Sequence, residues 1–221
     1  METIVKFVLM ITIVDFSLLL VAYLLGSIPT SVWIGKHFYS IDVREHGSGN
    51  AGATNTFRVL GKKAGIFVLI VDVLKGTIAV LLSLLSTVSN YSDEFIYLKI
   101  GLGIAALLGH IFPVFAGFRG GKGVATILGA VIAIQPAAAA IAMIIFLVFL
   151  FAFQFVSLAS MAAGLSYPFI VILFLKTTNN VVISFSVLVA VMLIITHKRN
   201  IDRLLKKQEK KIKLFSKNIR S

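Results

Sequence analysis

The sequence predicts an all-α polytopic membrane protein with seven transmembrane helices, its N-terminus outside and its C-terminus in the cytoplasm. Three observations lead there. Hydrophobic residues make up 58% of the 221 and charged residues 14%, against roughly 45–50% and about 25% in a soluble domain. So little polar surface cannot cover a globule in water. Near-continuous apolar runs recur along the chain at about the 20-residue length of a membrane span. Lys and Arg gather in three stretches, which by the positive-inside bias share the cytoplasmic face. The chain has no cysteine, which excludes a disulfide scaffold, a thiolate metal site and a cysteine nucleophile.

The first apolar run covers 7–31 and is interrupted only by Asp15. An acid inside the run, with no small-residue cleavage pattern before Gly26, argues against a cleaved signal peptide. The second run, 65–87, carries Asp72 and Lys75; the third is 95–117. The run 124–153 is 30 residues long, enough for one tilted helix or two short ones. The basic stretches 36–63, 119–122 and 198 onward decide between these. If all three face the cytoplasm, an even number of spans separates Lys122 from Lys198. Residues 155–175 and 181–196 supply two, so 124–153 supplies two more, turning at Gln135-Pro136 because proline breaks a helix interior. Seventeen of the 21 Lys and Arg then lie on the inner side. The domain reading is a transmembrane catalytic domain over 1–197, with cytoplasmic loops 36–63 and 117–123, and a basic tail over 198–221. That tail holds ten basic and two acidic residues, the pattern of a juxtamembrane segment against anionic membrane lipid. The net charge of +12 therefore needs no nucleic-acid partner.

Four inner-face segments hold the polar residues with reach. In 44–58, glycines at 47, 49 and 52 let successive N–H groups converge on an oxyanion. Ser48, Asn50, Thr54 and Asn55 add neutral donors, and Arg58 a planar cation suited to phosphate. In Gly120-Gly121-Lys122-Gly123, a glycine turn feeds a helix N-terminus, which favours anions, and Lys122 adds charge. This is not a P-loop, since position 116 is Ala and position 123 is Gly. Ser157 and Ser160 begin the sixth span, where serines often bond only their own helix backbone. His197, Asn200 and Arg203 recur at i, i+3 and i+6, on one side of a helix, with His197 the natural proton carrier near neutral pH. Asp72 and Lys75, three residues apart inside a span, should pair or face a polar cavity and so buttress the inner site. His110 reads as structural, bracing the start of the short fourth helix.

These blocks in order resemble the bacterial acyl-phosphate:glycerol-3-phosphate acyltransferases, the PlsY family. The strongest are Gly47-Ser-Gly-Asn-Ala-Gly-Ala-Thr-Asn55 with Arg58, Asp72 with Lys75-Gly76, Gly109-His-Ile-Phe-Pro113 leading to Gly120-Gly-Lys-Gly-Val-Ala-Thr126, and His197-Lys-Arg-Asn200-Ile-Asp-Arg203-Leu204. The resemblance runs from Gly26 to Glu209. It implies a seven-span enzyme of the bacterial inner membrane, its active site facing the cytoplasm, that moves an acyl chain from acyl phosphate to the 1-hydroxyl of glycerol 3-phosphate. It implies no cofactor, no metal and no coenzyme A. Carried over, Ser48, Arg58, Lys122, Ser160, His197 and Asn200 would be active-site residues, with Ser157 beside Ser160 as an alternative. In our reading Ser48, His197 and Asn200 are catalytic. Asn50, Thr54, Asn55, Arg58, Gly121, Lys122, Ser157 and Ser160 bind substrate or phosphate, and Asp72, Lys75 and Arg203 support them. One departure stands out: the family usually continues with Gly-Thr-Glu where this chain has Lys207-Gln208-Glu209, which puts a substrate contact by the tail in doubt.

Two other readings compete. The His-x4-Asp pair of an unrelated acyltransferase class occurs at His37…Asp42 and His197…Asp202, but without that class's partner elements. A small-anion transporter or channel draws support from Asp15, Asp72 and Lys75 inside spans. Its path would need polar residues on both sides of the membrane, and here the outer halves are nearly bare.

Overall fold

The computed structural model describes residues 12–90 and 92–212. Lys6, the start of the first expected span (7–11) and residues 213–221 of the basic tail lie outside the described residues. Among the described residues all regular structure is helical. The α-helices are α1 (Ile13–Gly26), α2 (Thr30–Tyr39), α3 (Ala53–Leu60), α4 (Lys62–Leu81), α5 (Asp93–Ile111), α6 (Val124–Ile134), α7 (Pro136–Phe153), α8 (Val156–Phe169), α9 (Asn180–Thr196) and α10 (Lys198–Leu205). Short 3-10 turns extend α4 and α5, and a π-turn extends α8. They form two compact units that divide after Pro136.

Among the described residues four helices are long and apolar enough to cross a membrane, and up to six if the bent pairs α1–α2 and α9–α10 each count once. The bend of 40° between α1 and α2 falls at Ser27-Ile28-Pro29, where proline cannot continue the backbone ladder. α6 has 11 residues, about 16 Å of helix against the ~30 Å hydrocarbon core. The 124–153 run breaks where proline requires: Gln135 caps α6 in a non-helical conformation (φ −142°), and α7 starts on Pro136, the first-turn position proline favours. Asp15 turns out not to be a mid-span acid. It sits in the first turn of α1, where its carboxylate accepts from the Thr12 N–H (3.0 Å) and hydroxyl (2.8 Å) in a reciprocal capping box. Ser86 also donates to it.

In the first unit, α1 packs on α5 and α4 on α6. These contacts run backbone to backbone. A Cβ at Gly26 would collide with the Ala106 carbonyl and one at Gly109 with the Tyr23 carbonyl; Gly76 lies against Thr126 in the same way, and Gly129 against Val73. Between apolar helices in lipid no hydrophobic gain drives association, so close van der Waals approach at small residues replaces it. Thr77 adds a hydroxyl bond to the Gly129 carbonyl (2.9 Å). In the second unit α8 packs on α9, with Tyr167 and Phe185 edge to face at 6.2 Å.

Candidate active site

The first inner loop is built around one amide. Asn55, 1% exposed on α3, donates its Nδ2 to the carbonyls of Val43 (2.7 Å) and His46 (3.1 Å) and accepts the Ser48 N–H at its Oδ1 (2.8 Å). The sequence suggested Asn55 as a phosphate donor. Its side chain instead spends its hydrogen-bonding capacity inside the loop and fixes where Ser48 stands. The oxyanion nest needs the same correction. Gly47 and Gly49 turn through positive φ (66° and 72°), but the Ser48 N–H goes to Asn55 and the Gly49 N–H to the His46 carbonyl (3.0 Å). Gly52 is extended and serves as the N-cap of α3. The Ser48 and Gly49 N–H groups are thus engaged within the loop, while half-buried Ser48 and Asn50, and exposed Thr54 and Arg58 on α3, offer side chains to a ligand.

The glycine turn lies beside this loop. A Cβ on Gly121 would stand 3.0 Å from the Ala51 carbonyl and would overlap the His110 imidazole. Only glycine lets loop, turn and ring stack so closely. The N–H groups of Gly120 and Gly121 donate to the carbonyls of Ile111 and His110 (3.1 Å each). Arg44 ties the same two segments, donating to the Ala116 carbonyl (2.8 Å) while its guanidinium holds Asp42 (2.8 Å). That hydrogen bond, outweighing the effect of burial, keeps the Asp42 carboxyl far below the usual carboxylate range. Gly123, at φ 82°, caps α6, so half-buried Lys122 sits at the start of that helix, on the positive end of its dipole.

Beneath loop and turn lies a buried polar cluster. Lys75 Nζ meets Asp72 Oδ1 at 2.9 Å and donates to the Ile28 carbonyl at 3.1 Å. Thr30 donates to the same Asp72 oxygen (3.4 Å). His110 Nδ1 is 3.8 Å from that oxygen and 3.1 Å from the Thr126 hydroxyl. The span charges pair as the sequence requires, and His110 braces the first turn of α6.

In the second unit, Ser157, Asn200 and Arg203 converge on one carboxylate. Ser157 Oγ and Asn200 Nδ2 donate to Glu209 Oε1 and Arg203 Nε to Oε2, each at 2.7 Å. Partial burial alone would raise this carboxyl; the bonds from Arg203, Ser157 and Asn200 outweigh it and hold the group below the ordinary range. His197, 2% exposed, places Nδ1 2.8 Å from the Leu193 carbonyl. Ser160 donates back to Val156 of its own helix (2.8 Å). Asp42 and Asp202 pair with neighbouring cations, Arg44 and Lys206 (2.8 and 3.0 Å).

Residues 16–207 match the family model described as glycerol-3-phosphate acyltransferase. The chain is 45% identical over 198 residues to a glycerol-3-phosphate acyltransferase of Bacillus cytotoxicus, covering 90% of this chain and 95% of that protein. It is 44% identical to one of Enterococcus faecalis, covering 85% and 87%. The chain belongs to the glycerol-3-phosphate acyltransferase family. Its fold also matches the crystal structure of PlsY, an integral membrane glycerol 3-phosphate acyltransferase, in its glycerol 3-phosphate form. The TM-score there is 0.80 at 38% identity, over 90% of this chain and 95% of that one. The lysophosphatidic acid form matches with a TM-score of 0.77.

Against the acyltransferase pattern, Glu209 is the functional-segment residue that sequence reasoning missed. The Lys-Gln substitution before it suggested a changed tail, yet the glutamate of Gly-Thr-Glu is kept and forms the hub for Ser157, Asn200 and Arg203. Lys207 takes φ 55°, a left-handed conformation that costs an L-residue about 1–2 kcal/mol and glycine almost nothing. Lys207→Gly should therefore stabilise the folded protein by up to about 1 kcal/mol, allowing for glycine's greater freedom when unfolded. Denaturation midpoints of the two proteins check this, and a lower midpoint for the variant would contradict it.

Proposed function

We propose that this membrane acyltransferase moves a fatty acyl group from acyl phosphate to the 1-hydroxyl of glycerol 3-phosphate, the first step of phospholipid synthesis. The glycerol oxygen bonds to the acyl carbon, the carbon–oxygen bond to phosphate breaks, and phosphate departs with the electron pair. The products are lysophosphatidic acid and phosphate. The donor's leaving group is already good, so transfer is direct, without an acyl-enzyme. The observation that carries the reading is the side-by-side packing of the Ser48 loop and the Lys122 turn within a chain of this family. Arg58 and Lys122 hold phosphate groups, Ser48 steadies the acyl-phosphate end, and Asn50 and Thr54 contribute neutral donors.

His197 and Asn200 act on the hydroxyl. Nδ1–H donated to the Leu193 carbonyl fixes the orientation of the imidazole. Nδ2 donated to Glu209 holds the Asn200 amide in one orientation. Held this way, the two side chains orient the hydroxyl, and its proton passes either to His197 as general base or to the donor phosphate.

Purified protein given acyl phosphate and glycerol 3-phosphate should release phosphate in step with lysophosphatidic acid. Arg58→Ala and Lys122→Ala should each lower kcat/KM about tenfold or more, the worth of a charge-assisted bond of roughly 1.5–3 kcal/mol. Wild-type kinetics in a folded variant would remove that residue from the site, and acyl-enzyme trapped from donor alone would overturn direct transfer.

The same reading places seven spans in the bacterial inner membrane, with α6 as a short seventh, the loops facing the cytoplasm and the basic tail against anionic lipid. In this cysteine-free chain, Ser48→Cys should react only with membrane-permeant reagents and Ser92→Cys also with impermeant ones. Labelling of both from one side would rule out this topology.

A further inference from the structure

A cavity of ≈ 450 Å³ opens on the first unit, lined by Trp33, Lys36, Arg44, Phe115 and Arg119 among others. None of these residues is assigned above to a substrate. The volume is within the about 300–1,000 Å³ of ligand clefts. Part of the wall is aromatic: the Trp33 and Phe115 rings lie 6.3 Å apart at 44°, 45% and 51% exposed. The rest is cationic. Asp42 pairs with Arg44 (2.8 Å) and Lys36 (3.3 Å) and Glu45 also acts on Arg44, so three cations against two carboxylates leave the formal balance positive by one. Arg44 is fixed in place by Asp42 and by the carbonyls of Ala116 and Arg119, so part of this charge is preorganised. Trp33 is the one tryptophan in the chain. It stands in the last two turns of the bent α1–α2 pair, three residues before Lys36, the position that tryptophan takes at a membrane–water interface.

We propose that this cavity binds the headgroup of an anionic phospholipid of the surrounding bilayer. The lipid phosphate lies among Lys36, Arg44 and Arg119, and its glycerol-ester region rests against Trp33 and Phe115. A free anion in water would have no use for the aromatic wall. A zwitterionic lipid brings a cation of its own toward a site with surplus positive charge. The bound lipid bridges α2 and the 114–119 turn, which leads directly into the segment carrying Lys122. The inference rests on the chain's being embedded in a membrane and not on the acyl-transfer reading.

Because Trp33 is the sole tryptophan, its fluorescence reports on the cavity. The full-length protein is reconstituted in bilayers of phosphatidylcholine containing either phosphatidylglycerol or further phosphatidylcholine with brominated acyl chains, at equal mole fractions. Brominated phosphatidylglycerol should quench Trp33 with a relative association constant at least about fivefold higher, the contribution of one basic residue near a lipid phosphate. In the Lys36→Gln/Arg119→Gln double variant the ratio should fall close to one. Equal quenching by the two lipids in the wild-type protein would overturn the proposal, with no variant needed. A preference undiminished in the double variant would overturn the assignment of those side chains. Loss of the preference on adding millimolar inorganic phosphate would show a soluble-phosphate site and overturn the lipid.

Discussion

His197→Ala should lower kcat by about 10²–10⁴, the contribution of a positioned general base, while the protein still folds. Nδ1 is anchored on the Leu193 carbonyl at 2.8 Å, so the ring is held in one orientation. Asparagine is too short to keep that anchor and also present an acceptor at the Nε2 position, so His197→Asn should not rescue turnover. The kcat profile separates the base from a purely orienting group: a base gives a falling acid limb that disappears in both variants. Substantial activity in His197→Asn with the limb intact would assign the proton to the donor phosphate and leave His197 only to orient the hydroxyl.

Asp72→Ala should destabilise the protein by about 3–5 kcal/mol, the penalty for removing one partner of a buried ion pair. Asp72 and Lys75 are 2% and 5% exposed, so water cannot replace the lost carboxylate. The Ile28 carbonyl alone would remain to hold the Lys75 ammonium. The loss should spread, because Asp72 Oδ1 also takes the Thr30 hydroxyl and neighbours His110, and His110 underlies Gly121 and the start of α6. Adding Lys75→Met should recover most of the stability, since removing both charges removes the desolvation problem with them. Unfolding free energies of the single and double variants in one detergent check this. A single variant as stable as wild type would mean that the pair does not hold the bend of α1–α2 to α4. The pairing also accounts for two intramembrane charges without a transport path, and Asp15, in its capping box, accounts for the third.

The sequence by itself determined the class of the molecule, most of its helices and its family. Apolar runs of span length form backbone-satisfied helices in lipid; Pro136 marked the break in the longest of them, and charges inside a span had to pair. These are local or near-local constraints, readable from composition and spacing. The blocks around Ser48, Lys122 and His197 were legible as polar segments for the same reason: few polar residues exist in the chain, and those that do cluster. Only the tertiary structure decided what each polar atom does. Asn55 and Ser48 look equally like ligand donors in sequence, yet one amide closes a loop because three partners up to twelve residues away happen to converge on it. Glycines at 47, 49 and 52 look alike, but two turn through positive φ and one is extended, since a φ angle is set by where the chain must go next. Glu209 was obscured by the two altered residues before it, and its role emerges from the convergence of Ser157, Asn200 and Arg203 on one carboxylate. Hydrogen-bond partners across such separations depend on how helices pack, and residue types alone carry no record of that packing.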